Sequence, residues 1–145
     1  MTVQIRKHAF DAYDEIRSYQ QDCLHAVGKY GATGIFIGTM RDFNEGDEVQ
    51  SMTLEHYPGM TEQYLEKIVQ DAAGRWELVD CLIIHRIGTV QPDDAIVLVA
   101  VWSAHRAAAF DASRYLMEEL KSRAPFWKKE KLSEGERWVE KNTSA

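Results

Sequence analysis

The sequence predicts an α+β fold in a single domain, residues 1–145, and three observations indicate it. A chain of 145 residues suits one hydrophobic core. Some segments carry apolar residues at helical spacing, whereas others alternate or are continuously apolar, as strands do. The strand segments follow one another locally and do not alternate regularly with helices. That pattern favours α+β over a doubly wound parallel sheet.

The chain up to Tyr57 is predicted to contain three strands, one helix and a polar loop. In chain order these are a strand near Val3–Ile5, a helix over Ala12–Val27, a strand over 31–40, a polar loop over 41–48 and a strand over 49–57. Glycine is the usual helix stop, and Gly28 follows the expected end of the helix. The alternation places Met52 and Leu54 on one face of the third strand.

After a turn at Pro58 and Gly59, the sequence predicts two longer helices and four more strands. They are a helix after Thr61, a strand over 79–87, a central strand over Ala95–Trp102, a helix from Ser103 to about Arg123, and short strands over 126–132 and 137–140. Thr61 and Ser103 are the expected N-caps. The apolar stripes expected to face the core comprise Tyr64, Leu65, Ile68, Val69 and Ala72 in the first helix, and Phe110, Met117 and Leu120 in the second.

The charge is unevenly distributed along an acidic chain. The net charge is −6, from 17 basic and 23 acidic residues, which disfavours nucleic acid as a general partner. Residues 121–131 nevertheless hold five cations and one glutamate, and the rest of the chain therefore carries −10. A basic island in an acidic protein indicates a local anionic ligand better than a long polyanion.

Several classes of protein are disfavoured by what the sequence lacks. No segment approaches the roughly 18 apolar residues of a membrane span, and the start has no apolar stretch of a secretory signal. Cys23 and Cys81 are far apart and outside any CxxC pattern, which fits a reducing cytoplasm. The five histidines show no metal-ligand spacing, so no metal or cofactor site is predicted. Packing roles are expected for both cysteines and for His56, His85, Trp127 and Trp138.

Lys121 and Lys128 are candidates for acid–base or nucleophilic chemistry. Lys121 lies at the edge of the buried helix stripe, and Lys128 lies on an extended segment where it shares a face with Phe126 and Glu130. A helix end and the strand returning from it can bring two amines together. Clustered cations lower the pKa of a lysine, and a neutral amine can act as base or nucleophile. The alternative is that Lys121 complements the helix C-terminus and Lys128 is solvated.

Two further features indicate anion binding. His105 and Arg106 are expected in the first helical turn after Ser103, where cations oppose the helix dipole and a bound anion would compensate them. The alternative is that both side chains bend away to surface carboxylates. Arg41 follows a strand, where the planar guanidinium often binds phosphate or carboxylate, although a surface ion pair is an equally common role.

Six stretches together resemble the molybdopterin synthase catalytic subunit family. In order they are GTMRDFNEG (38–46), LEHYPGMTE (54–62), IHRIG (84–88), SAHR (103–106), LKSRAPFWKKE (120–130) and EGERWVE (134–140). The resemblance covers nearly the whole chain from about Gly31, and SAHR followed by KxRAPFWK is its most specific pair. The family often has Val where Met40 stands and Thr where Trp102 stands. These departures bear on pocket shape more than on reaction class.

The resemblance implies a fold, a reaction and partners. It implies an α/β-hammerhead-like domain with an additional small antiparallel sheet, and a homodimer at the centre of a heterotetramer. It implies an enzyme, molybdopterin synthase, acting as a sulfurtransferase. A small ubiquitin-like sulfur-carrier subunit with a C-terminal Gly-Gly thiocarboxylate would deliver sulfur to cyclic pyranopterin monophosphate, forming the dithiolene of molybdopterin. It implies neither a nucleic-acid nor a membrane partner.

The resemblance also assigns residues. By their place in the family's motifs, Lys121 and Lys128 would be catalytic. The substrate-binding residues would be Thr39, Met40, Arg41, His105, Arg106, Lys121, Lys128, Lys129 and Glu130. We expect the three features found from the residues to form one anion-binding pocket.

Other functions remain open on sequence grounds. The chief alternative is a non-catalytic module that binds an acidic peptide tail or a phosphate ligand. A small RNA-binding domain using residues 121–131 is a second, which the overall acidity opposes. A phosphate-ester hydrolase is a third, although no metal cluster or paired catalytic carboxylates can be recognised.

Overall fold

The computed structural model describes residues 1–139, in which three helices and ten strands are found. In chain order they are β1 (Thr2–Arg6), α1 (Ala12–Asp22), β2 (Ala32–Thr39), β3 (Phe43–Asn44), β4 (Asp47–Glu48), β5 (Ser51–His56), α2 (Met60–Arg75), β6 (Leu78–Arg86), β7 (Gly88–Val90), β8 (Ala95–Ser103), α3 (Arg106–Arg123), β9 (Phe126–Leu132) and β10 (Gly135–Trp138). This mixture of helices and locally paired strands confirms the predicted α+β class.

A four-stranded sheet of order β1-β6-β8-β2 forms the centre of the fold. Strand β8 lies inside it and pairs antiparallel with β6 and β2, while β1 pairs parallel with β6. Residues 97–103 of β8 are all buried, because helices cover both faces of the sheet. The prediction of a central strand over Ala95–Trp102 is confirmed.

The helices cover the central sheet in two layers. Helices α2 and α3 pack on one face, where Leu65 and Leu116 meet Ile83 and Val99. Helix α1 packs on the other face, where Tyr19 stacks on Trp102 with ring centroids 5.3 Å apart. None of the helices in the described part of the chain is long and apolar enough to cross a membrane.

A glycine allows α3 to approach β2 closely. A Cβ atom on Gly34 would lie 2.5 Å from the carbonyl oxygen of Ala109 and 3.2 Å from the Ser113 hydroxyl. Only a residue without a side chain fits at such a contact between two backbones. The close approach brings the whole length of α3 along the sheet, so that its C-terminal turn reaches the end of β2.

A second, antiparallel sheet of order β10-β9-β5-β7 carries the C-terminal strands. Its strand β9 is antiparallel to β5, with Leu54 opposite Lys128 and Met52 opposite Glu130. Both Met52 and Leu54 are buried, as their predicted shared face requires. This sheet corresponds to the additional small sheet that the resemblance implied. The third sheet is a hairpin of two short strands, β3 and β4.

Several boundaries differ from the sequence predictions. Helix α1 ends at Asp22, five residues before Val27. The predicted polar loop over 41–48 contains the β3–β4 hairpin, whose turn uses left-handed backbone at Glu45 and Gly46, with φ of 52° and 82°. The connection over 88–94 contains strand β7. The last predicted strand ends at Trp138, and Glu140 lies outside the described residues.

Both predicted N-caps were wrong. Helix α2 begins at Met60 after Gly59, and the Thr61 hydroxyl instead accepts from the Tyr57 amide and donates to the Pro125 carbonyl, each at 3.0 Å. Strand β8 continues through Ser103, whose hydroxyl donates to the Glu77 carbonyl. The N-cap of α3 is His105. In both places the hydroxyl donates to a backbone carbonyl of a distant segment.

Four side chains predicted to pack inside are exposed. Phe110 is 69% exposed, because the buried face of α3 at this level is formed by Ala109 and Ala112, next to Gly34. Trp127 and Trp138 are about half exposed, on the outer face of the second sheet. Cys23 is exposed just after α1, whereas Cys81 is buried in the core as expected.

Candidate functional site

A cavity of about 370 Å³ lies where the two larger sheets, the C-terminal end of α3 and the β3–β4 hairpin meet. Six of the residues predicted to bind substrate line it: Thr39, Met40, Arg41, Lys121, Lys128 and Glu130. Helix α3 and strand β9 enter the cavity wall from either side of the turn at Pro125. The sequence therefore predicted correctly that a helix end and its returning strand bring the two lysines together.

Lys128 is a largely buried amine among cations. It shares the inner face of β9 with Phe126 and Glu130, as predicted, because alternate residues of a strand face the same way. Burial is the main cause that lowers the pKa of Lys128 below its ordinary value, and the nearby charges of Lys121 and Arg41 lower it further. Glu130 acts in the opposite direction. A larger fraction of this amine is therefore neutral near pH 7 than of an ordinary lysine.

Lys121 reaches the cavity from the last turn of α3. Met117 and Leu120 are buried on the same side of the helix and also line the cavity. Lysine in a last helical turn is stabilised by the partial negative charge of the helix end. Lys121 therefore lies at the helix end, as the structural alternative expected, and also lines the cavity, while its chemical role stays a prediction.

Arg41 follows the end of β2 at Thr39, and the pairing of β2 with β8 has a register irregularity between Gly38 and Thr39. Met40 is fixed there by two backbone hydrogen bonds of 3.0 Å, in which its amide donates to Asp94 and its carbonyl accepts from Asp93. The guanidinium of Arg41 lies 4.9 Å from the centre of the Phe43 ring. This contact leaves the planar donor edge of Arg41 available for an anion.

Glu130 is the carboxylate of the cavity wall and is only 5% exposed. Its Oε1 accepts from Nε of Arg137 at 2.9 Å. Its two oxygens also accept from Nδ2 of Asn44 at 3.3 and 3.1 Å. The charged side chains that line the cavity are Arg41, Lys121, Lys128 and Glu130. Three of them are basic, and the one carboxylate is bound by Arg137 and Asn44, so the cavity has an excess of positive charge.

His85 forms part of the cavity wall, although the sequence analysis predicted only a packing role for it. Its ring stacks on Phe126 with centroids 3.7 Å apart, and its Nδ1 lies 2.8 Å from the carbonyl oxygen of Arg86. Burial lowers the pKa of His85 to about 3, and the charge of Lys128 contributes to the shift. The ring is therefore neutral at physiological pH, and a neutral imidazole near Lys128 adds no further positive charge.

Three predicted substrate-binding residues do not line this cavity. His105 and Arg106 are exposed at the beginning of α3. At about 1.5 Å of rise per residue, Arg106 lies roughly 22 Å along the helix from Lys121. Lys129 lies on the outer face of β9, where its amine is 3.2 Å from Glu136 and 5.5 Å from the centre of the Trp138 ring. A single chain therefore does not bring His105 and Arg106 to the cavity, and the expectation that one pocket holds all three features stays a prediction.

Residues that sequence reasoning missed include Asn44, Phe43 and Arg137. The first two line the cavity, and Arg137 fixes the Glu130 carboxylate from β10. All three occur in stretches that carry the resemblance, 38–46 and 134–140. Nothing in their local spacing marks them, because they meet only when the hairpin folds against the second sheet.

Comparison with known proteins places the chain in a family. The model of the MoaE protein family matches residues 5–123. The chain belongs to the MoaE family. A Pseudomonas aeruginosa protein named molybdopterin synthase catalytic subunit is 51% identical over 142 residues, which cover 97% of this chain and 91% of that protein.

Solved structures agree with this MoaE assignment. Molybdopterin synthase from Staphylococcus aureus is 30% identical, with a TM-score of 0.82 over 93% of this chain and 94% of that one. A complex of subunits 1 and 2 of the molybdopterin-converting factor from Helicobacter pylori has a TM-score of 0.80 at 20% identity, covering 97% and 92% of the two chains. At that identity the second likeness shows the fold alone.

Proposed function

We propose that this MoaE-family chain is the catalytic subunit of a molybdopterin synthase. It would transfer sulfur from the C-terminal thiocarboxylate of a small carrier protein to cyclic pyranopterin monophosphate. The observation that carries the proposal is the convergence of Arg41, Lys121 and Lys128 on one cavity. Relatives with about half of their residues identical bear the name of this enzyme's catalytic subunit.

The cavity suits both reactants, because each is an anion. A cyclic phosphate matches the fork of Arg41, and a thiocarboxylate carries a negative charge at neutral pH. Positive side chains in a partly dehydrated cavity attract such groups more strongly than they would in water. They would also stabilise negative charge that develops as a carbon–sulfur bond forms.

The two lysines are proposed to have different roles. Lys121 is the main catalytic residue, and Lys128 holds or activates the substrate. A lysine whose pKa is lowered by burial and by neighbouring cations can accept a proton or act as a nucleophile. Thr39, Met40 and Glu130 would shape the site around the bound substrate, and Lys129 would contribute from the outer face of β9, outside the cavity itself.

The sulfur donor is proposed to be a small ubiquitin-like subunit with a C-terminal Gly-Gly tail. Among the structural neighbours, the Helicobacter pylori protein was solved as a complex of two subunits, which supports a two-subunit assembly here. A Gly-Gly tail has no side chains and would occupy little of the cavity's volume of about 370 Å³. Each transfer would form one carbon–sulfur bond on the substrate in place of a carbon–oxygen bond, and water would cleave the tail's own carbon–sulfur bond and return the tail as a carboxylate. The displaced oxygen would leave on the opened cyclic phosphate in one transfer and as water in the other.

His105 and Arg106 are proposed to serve the cavity of a second copy. They lie on the opposite end of α3 from Lys121, and the helix is too long for them to reach the cavity of their own chain. A homodimer within a heterotetramer would allow each chain to supply these cations to its neighbour. The proposed assembly is cytoplasmic, in keeping with two free cysteines.

A single-turnover assay tests the proposed function. The protein would be mixed with a thiocarboxylated carrier and cyclic pyranopterin monophosphate, beside Lys121→Ala and a matched control, Lys67→Ala, on the exposed side of α2. We expect product from the wild type and the control and a loss of at least about 100-fold in Lys121→Ala, in the range of removing one catalytic proton-transfer group. Binding of the carrier without any product from the wild type would favour the non-catalytic module.

A further inference from the structure

One side chain, Arg137 on β10, joins two separate parts of the cavity wall. Its Nε donates to Oε1 of Glu130 on β9 at 2.9 Å. Its Nη1 donates to Oδ2 of Asp47 at 2.8 Å, and its Nη2 donates to the carbonyl oxygen of Asn44 at 2.9 Å. A planar guanidinium can hold partners in several directions at once, which a lysine cannot do.

The Glu130 carboxylate depends on this arrangement. A carboxylate that is only 5% exposed is costly unless it is paired and hydrogen-bonded. Its hydrogen bonds come from Arg137 and from Asn44, and Asn44 is itself held by Arg137. Loss of Arg137 would therefore remove one hydrogen bond to Glu130 and weaken the other, from Asn44.

The β3–β4 hairpin depends on Arg137 as well. Two strands of two residues each are too short to be stable alone. At its base the Val49 amide donates to the Asp42 carbonyl at 2.8 Å, and at its sides Arg137 binds Asn44 and Asp47. Phe43 and Asn44 form the hairpin's part of the cavity wall.

We propose that Arg137 is a positioning residue of this site, which fixes the Glu130 carboxylate beside Lys128 and tethers the β3–β4 hairpin as the adjoining wall. Arg137 does not line the cavity, so it acts through Glu130 and the hairpin and not on a bound ligand. The proposal deepens the proposed function. Only the expected effect of Arg137 on turnover rests on that function.

The charges around Lys128 give a readout of this role. Lys121 from α3 and Arg41 after β2 lower the pKa of Lys128, Glu130 on its own strand raises it, and His85 from β6 faces it as a neutral ring. Arg137 neutralises Glu130 from the far side. When Arg137 is removed, the negative charge of Glu130 acts on Lys128 without compensation, and the pKa of Lys128 should rise.

The experiment compares Arg137→Gln with Arg17→Gln, whose side chain is 65% exposed on α1. Amide hydrogen exchange of residues 41–49 and the pH dependence of amine labelling at Lys128 are measured without substrate. In Arg137→Gln we expect hairpin exchange to accelerate by about tenfold or more, as loss of charge-assisted hydrogen bonds implies. The labelling midpoint of Lys128 should move to higher pH. The control should match the wild type in both.

Two further variants separate the two parts of the role. Asp47→Ala removes one hairpin contact and should accelerate hairpin exchange without moving the Lys128 labelling midpoint. Arg137→Lys keeps the charge near Glu130 but cannot span both partners, so it should accelerate exchange while shifting the midpoint less than Arg137→Gln does. This variant also keeps the test decisive where Arg137→Gln does not fold.

The outcomes distinguish this inference from the proposed function. Hairpin exchange within about twofold of the wild type, or an unchanged Lys128 midpoint in Arg137→Gln, would overturn the role of Arg137. In the sulfur-transfer assay the same variant should raise KM by about tenfold and lower kcat less, because the loosened wall weakens binding. A wild type that turns over nothing would overturn the proposed function, while exchange and labelling still decide the role of Arg137.

Discussion

Lys121 and Lys128 face the same cavity from α3 and β9, and the charge of Lys121 lowers the pKa of Lys128. The pair is created by the sharp connection at Pro125, which sends the chain from the helix end straight into the strand. Lysine amines are usually solvated at a protein surface, but these two are held together in one cavity wall, which also contains the Glu130 carboxylate.

The first prediction concerns this coupling. Lys121→Gln should raise the pKa of Lys128, because the substitution removes a neighbouring positive charge that favours the neutral amine. The pH dependence of Lys128 labelling by an amine-reactive reagent, read by mass spectrometry, measures the shift. Lys67→Gln on the exposed side of α2 is the control and should leave the midpoint in place. A Lys128 midpoint that stays fixed in Lys121→Gln would contradict the coupling.

The second prediction concerns the close contact of α3 with β2. Gly34→Ala should lower the free energy of unfolding by about 1–3 kcal/mol, because the new methyl group meets the Ala109 carbonyl oxygen at 2.5 Å and one of the two backbones must move. Urea denaturation measures the change. Gly74→Ala is the matched control, since nothing lies within 4 Å of its added Cβ in α2. The control should stabilise the protein by roughly 0.5–1 kcal/mol.

The third prediction concerns pH and His85. The folded pKa of about 3 lies below the ordinary value of 6.5, so the unfolded chain binds a proton that the folded chain does not. The free energy of unfolding should therefore fall as pH decreases from about 6.5 towards 3, by up to about 1.4 kcal/mol per pH unit from this group. His85→Phe should remove this contribution and flatten the profile.

Denaturation midpoints between pH 7 and 4 test the sign. His25→Phe, at an exposed position, should retain the slope of the wild type. Equal slopes in the wild type and His85→Phe would contradict a buried neutral imidazole at this position.

The sequence predicted the elements that are fixed by local pattern. The continuous apolar run of β8 and the stripe of Leu65, Ile68 and Val69 in α2 determine their own burial, and both were predicted correctly. The alternation of β9 likewise placed Phe126, Lys128 and Glu130 on one face. The helix stripe and the strand alternation follow periods of 3.6 and two residues, which can be read from the sequence alone, as can the length of the apolar run.

What could not be predicted depends on contacts between distant segments. Thr61 and Ser103 looked like N-caps, but their hydroxyls bind Pro125 and Glu77, which local spacing cannot reveal. Phe110 fits a helical stripe, yet the close approach at Gly34 admits only alanines there. The same reason hid Arg137, since its partners Glu130, Asn44 and Asp47 come from three other strands.

The fourth prediction tests which chain supplies Arg106. Lys121→Ala and Arg106→Ala should each abolish most of the sulfur-transfer activity when assayed as separate homodimers. Mixed dimers of the two variants should regain about half the activity of a wild-type dimer, since one cavity then carries both substitutions and the other carries neither. Differently tagged chains, co-expressed and purified through both tags, provide these mixed dimers, and single-turnover product formation measures recovery. Were Arg106 to act in its own chain, every cavity would contain one defect and mixing would restore nothing.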